Sequence, residues 1–102
     1  MSLTKNEESK LNEWIQTMLS DFQNWISITV SDVPNVDCEF LFGASRGWIL
    51  GTLIGRWTQE FHKSPDEEET KSIIKLTLKY NKNLVEGIEK YRGRKCKERA
   101  NK

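Results

Sequence analysis

Residues 38–62 read CEFLFGASRGWILGTLIGRWTQEFH, and how this stretch folds decides the rest of the chain. It contains no proline, and its apolar residues are too dense and too continuous for a loop. A glycine stands at every fourth position: Gly43, Gly47, Gly51 and Gly55. Read as a helix, the four glycines together cost roughly 4 kcal/mol relative to alanine. Something must offset that cost, and close approach of another helix backbone or of flat rings is the physical candidate. Positions four apart drift by about 40° per step, so the ladder forms a slanting groove suited to a helix crossing at about −50° or −40°. On the same helical wheel Phe40, Leu50, Ile54 and Phe61 fall on the glycine side. Phe42, Ile49 and Leu53 fall opposite, bordered by Arg46 and Arg56. A helix apolar nearly all round is a buried helix.

Outward from this segment, the N-terminal third predicts one long helix over about 4–29. Thr4 and Glu7 have the spacing of a capping box. Leu11, Ile15, Met18, Phe22 and Trp25 then recur at steps of four and three, widened by Trp14, Leu19 and Ile26. Residues 26–30 and 38–42 also alternate weakly, which leaves a short hairpin as a lesser reading. Residues 31–37 form a turn: Pro34 ends a helix, and Asn35 or Asp37 can cap the next one. A third helix is expected over about 65–92, with Ser64 as cap, Pro65 first, and Glu67 completing a capping box. Ile73, Leu76, Tyr80, Leu84, Ile88 and Tyr91 supply its apolar face. Three helices of similar length, about 4–29, 38–62 and 65–92, predict an all-α antiparallel three-helix bundle over residues 1–93. Residues 94–102 are expected to be a frayed basic tail.

Composition sets further bounds. A chain of 102 residues with 30% charged and 36% hydrophobic side chains is globular in balance and one domain in length. Four Trp, four Phe and two Tyr are a heavy aromatic load around which a core can be built. The net charge of +1 conceals a gradient. Residues 1–40 hold two basic and seven acidic side chains, whereas residues 92–102 hold six basic and one acidic. The first dozen residues are polar, unlike a secretory leader, so a cytoplasmic location is the default expectation. Nothing in the sequence requires a disulfide between Cys38 and Cys96, since two cysteines do not make a framework.

No convergent catalytic constellation can be assembled, and neither a cofactor nor a metal is expected. His62 stands alone, where it can interact with free carbonyls at a helix end. A Cys38 thiol at a helix start is opposed by the flanking Asp37 and Glu39. Glu67, Glu68 and Glu69 suit a helix's positive end better than a metal, because consecutive helical residues point about 100° apart. Arg92, Arg94, Lys95, Lys97 and Arg99 could neutralise phosphates with Tyr91 stacking on a base, which makes a nucleic-acid accessory role the alternative reading. The leading expectation is a non-enzymatic, self-associating or partner-binding helical module. Its interface with a second copy, as a homodimer, or with another protein partner would comprise Gly43, Gly47, Gly51 and Gly55 with Phe42, Arg46, Ile49, Leu53 and Arg56; which side of the helix faces outward is left open by the sequence. A membrane span over residues 40–57 is disfavoured by Arg46 within it.

Overall fold

The computed structural model describes residues 3–31 and 36–96. All regular structure among them is helical: α1 (Lys5–Ser20), α2 (Phe22–Thr29), α3 (Cys38–Phe61), α4 (Glu67–Leu78) and α5 (Asn81–Arg92). The all-α class holds, but the two outer helices of the expected bundle are each broken in two. Residues 26–29 and 38–42 are helical, so the hairpin does not form.

The breaks have local chemistry and a packing purpose. At Asp21 the chain leaves helical geometry (φ −108°, ψ 11°), and its N–H bonds back to Met18 and Leu19. The apolar stripe continues in phase across this break, so periodicity alone could not reveal it. The bend lets α1 lie against α3 while α2 turns onto α5. A second break at Lys79 and Tyr80 separates α4 from α5, both of which pack on α3. Tyr80 anchors that junction to α1 by donating its hydroxyl to Asn12 Oδ1 at 2.6 Å.

The helix starts follow the rules with one shift. Thr4 accepts from the Glu7 N–H, and Glu7 accepts from the Thr4 N–H, a complete capping box. Asp37 caps α3 by accepting from the Phe40 N–H at 2.8 Å. For α4 the cap is Asp66 with Glu69, not Ser64 with Glu67. The physical reason is that a carboxylate is the stronger acceptor at a helix's positive end. The Glu69 backbone N–H holds the Asp66 carboxyl below its ordinary value of 3.8, against a smaller opposing effect of desolvation. A lowered folded-state pKa means that Asp66 contributes stability above the ordinary value and loses it as pH falls through the lowered one. Acid titration followed by helical circular dichroism should therefore show a shallower loss in Asp66→Asn than in the parent.

The core draws on every helix. Leu11 and Ile15 of α1, Ile26 of α2, Leu53 and Trp57 of α3, Ile73 of α4, and Leu84 and Ile88 of α5 are fully buried. The molecule measures 40 × 29 × 19 Å. A thickness of 19 Å admits only two layers of helices about 10 Å in diameter. In two layers no helix is covered on all sides, and α3, although it touches α1, α4 and α5, keeps one face open.

Candidate interface on the middle helix

The open face of α3 is the glycine face. Gly43, Gly47, Gly51 and Gly55 are all exposed, and a Cβ placed on any of them meets nothing within 4 Å. The buried ridge of the same helix is Leu41, Ser45, Ile49, Leu53 and Trp57. It also advances by four, but it is offset from the glycines by two residues, or about 200° around the axis. The two ladders therefore lie on opposite sides. The orientation left open by the sequence is thereby decided: the glycines point outward, and the opposite strip is the one that packs.

The same packing takes in most of the opposite strip. Ile49 and Leu53 are 2% and 0% exposed and belong to the core. Phe42 is half-buried against it. Arg46 donates to Asn81 Oδ1 at 2.7 Å and to Thr77 Oγ1 at 3.1 Å, tying α3 to the α4–α5 junction. The Arg56 guanidinium lies 4.9 Å from the centre of the Trp14 ring, a cation–π contact with α1. The strip looked like an unpartnered surface because three covering helices were counted as two; α4 and α5 approach α3 as separate elements.

The same geometry leaves the glycine face without charge between Phe40 and Gln59, since Arg46 is bonded to Asn81 and Thr77 and the exposed Arg56 lies over the Trp14 ring of α1. Phe40 is 54% exposed, and Leu50, Ile54 and Phe61 are partly exposed along the flank. Ser45, on the buried side, satisfies its hydroxyl by donating to the Leu41 carbonyl at 2.6 Å. Trp57 Nε1 has no acceptor among the described residues.

The glycine that does receive a ring is Gly87 in α5. A Cβ there would lie 2.5 Å from Phe22 Cδ2 and 2.6 Å from Cε2. The Gly87 carbonyl also accepts from Gln23 Nε2 at 2.9 Å, so α2 grips α5 by a ring and a hydrogen bond together. Phe22 is itself part of an aromatic stack, with Trp25 and Trp48 at centroid distances of 6.0 and 6.3 Å and those two rings 4.6 Å apart. A lone glycine inside the apolar pattern around Leu84 and Ile88 was the available signal.

The second surprise is covalent. Cys38 and Cys96 form a disulfide with their Cα atoms 5.8 Å apart, joining the start of α3 to the segment after α5. Sequence separation hid this contact, because antiparallel return of the chain brings position 96 back beside position 38. The bond also shortens the expected tail. Residues 93–96 are held against the bundle, and Lys97 and Arg99 lie outside the described residues. Of the remaining residues in the alternative nucleic-acid set, Tyr91 is 41% exposed, and Arg94 and Lys95 are exposed. Arg92 is half-buried, with Nη1 shielded from solvent.

Sites for small ligands are shallow. An open groove of about 310 Å³ between α1 and α4 is lined by Leu3, Glu8, Ser72, Lys75, Leu76 and Lys79. His62 takes the left-handed conformation (φ 58°) at the end of α3, where it terminates the helix. Among the described residues no three His, Cys, Asp or Glu side chains converge as metal ligands, and no helix is long and apolar enough to cross a membrane. Among the described residues the chain is thus all-α, with five helices of which α3 is central, touching α1, α4 and α5. Comparison with protein-family models, with curated proteins and with solved structures returns no match.

Proposed function

We propose that this protein is a non-enzymatic, self-associating helical module whose contact surface is the outward glycine face of α3. The observation that carries this reading is the solvent-facing ladder: four helical glycines that nothing among the described residues packs against. Within the monomer they are a cost of about 1 kcal/mol each with no compensation. A second helix laid across them at about −40° would supply the missing contacts by close backbone approach. A second copy presents the same ladder at the same pitch, and two-fold pairing uses one patch twice. The absence of charge along this face removes the desolvation penalty that ionic groups would impose there.

The structure makes the test unusually clean, because substitutions on the ladder have room. Gly51→Ala should stabilise the monomer by about 0.5–1 kcal/mol, seen as a higher melting temperature at low concentration. Gly47→Leu should abolish self-association in sedimentation experiments while helical content is retained. A parent protein that sediments as a monomer at high concentration would overturn the proposal, as would a Gly47→Leu variant that associates as well as the parent.

A further inference from the structure

Beyond α5 the chain reverses at Gly93, whose φ of +75° is the left-handed turn that ends the helix. The short strap of residues 93–96 then runs back to Cys38. Its attachments are few. The Gly93 and Arg94 N–H groups donate to the Glu89 carbonyl at 2.8 and 3.3 Å, which closes the end of α5. The Cys96 N–H donates to Glu89 Oε2 at 2.9 Å, and Lys95 Nζ stands 4.0 Å from Glu89 Oε1. All of these holds lead back to one residue of α5. The only described bond from the strap to another helix is the disulfide to the first residue of α3. Gly93, Arg94 and Lys95 are exposed, and Cys96 alone is buried, so the strap brings no other apolar surface to the core.

We propose that the Cys38–Cys96 bond is a redox-operated latch, through which a dithiol reductant releases the strap from the start of α3 while the five helices stay packed. The attack falls on Cys96, the less deeply buried of the two residues at 5% exposure against 1% for Cys38. A thiolate of the reductant bonds to Cys96 Sγ, and the electron pair of the breaking S–S bond leaves on Cys38 Sγ. That thiolate then takes a proton from water. The reductant's second thiol displaces Cys96 and leaves as the reductant's own disulfide. Two electrons and two protons have then passed from the dithiol to the cysteine pair.

Glu89 gives the latch a return path. With the disulfide formed its carboxylate accepts from the Cys96 N–H, and remaking that bond when the strap swings back sets the thiol beside Cys38 for reoxidation. The hinge at Gly93 needs no change in α5 for the strap to swing.

Hydrogen exchange on the full chain at 25 °C, with and without dithiothreitol as the reductant, tests the proposal. Exchange at Cys96 and in the first turn of α3 should rise about ten-fold or more on reduction, while core amides, accelerated only by the loss of global stability, remain protected and the far-ultraviolet circular dichroism stays unchanged. Oxidised glutathione should reverse the effect, and Cys96→Ser should show the released pattern with no reductant present. Loss of the helical signal on reduction would make the bond a staple and not a latch. Failure of dithiothreitol to expose alkylatable thiols without denaturant, or unchanged exchange after reduction, would equally overturn the proposal.

Discussion

Removing the disulfide by the double substitution Cys38→Ser and Cys96→Ser is expected to produce the largest stability loss of any change that leaves the core side chains in place. The cysteines are 58 positions apart, so the bond closes more than half of the chain into a loop. Cross-linking a loop of that size lowers the entropy of the unfolded ensemble by an amount equivalent to about 4 kcal/mol at 25 °C. A domain of this length shifts its melting temperature by roughly 4–8 °C per kcal/mol, so the loss should be about 16 °C or more. Because the effect acts on the unfolded chain, the variant should also unfold with a steeper dependence on urea, reflecting the larger surface that an unconstrained chain exposes. A fall in stability with an unchanged urea slope would assign the effect to contacts in the folded state instead. Folded helices are compatible with this loss at 25 °C, since small domains commonly hold 5–15 kcal/mol in reserve.

Gly87→Ala should be the second large effect, and its sign is opposite to that expected on the ladder. At an open helical site alanine gains about 1 kcal/mol over glycine. At Gly87 the new methyl meets the Phe22 ring at 2.5 Å, a separation that cannot persist. The ring has little freedom to retreat, being 3% exposed and stacked with Trp25 and Trp48. Overpacking of this kind outweighs the propensity gain and leaves a net loss of about 2 kcal/mol. Moving α2 off α5 would also lengthen the bond between Gln23 and the Gly87 carbonyl. Chemical denaturation of Gly87→Ala beside Gly51→Ala makes the comparison direct: the same substitution in the same protein should shift the midpoint in opposite directions. Equal shifts would mean that the contact between Phe22 and Gly87 is not tight.

These two sites also show how much was legible beforehand. The class and the helical stretches follow from periodicity, and Thr4 with Glu7 and Asp37 mark two starts through the chemistry of capping. The breaks at Asp21 and at Lys79–Tyr80 do not show in the pattern, because a bend that keeps the apolar stripe in phase leaves the periodicity intact. The grip on Gly87 involves a ring 65 positions away in the sequence, and the disulfide spans a similar distance. Contacts of that range depend on how the helices return past one another, which no local pattern encodes.

The glycine ladder divides the same way. The sequence by itself determined that α3 carries two opposed ridges, the glycines on one and Leu41, Ile49, Leu53 and Trp57 on the other, because residues two apart in a helix point about 200° from each other. It could not determine which ridge faces solvent, since neither carries charge. Only the tertiary structure decided that. Two separate elements, α4 and α5, join α1 in covering the large apolar side chains, whose burial is worth about 1.5–3 kcal/mol each. Glycine, with no side chain to bury, is the face that a two-layer fold leaves uncovered.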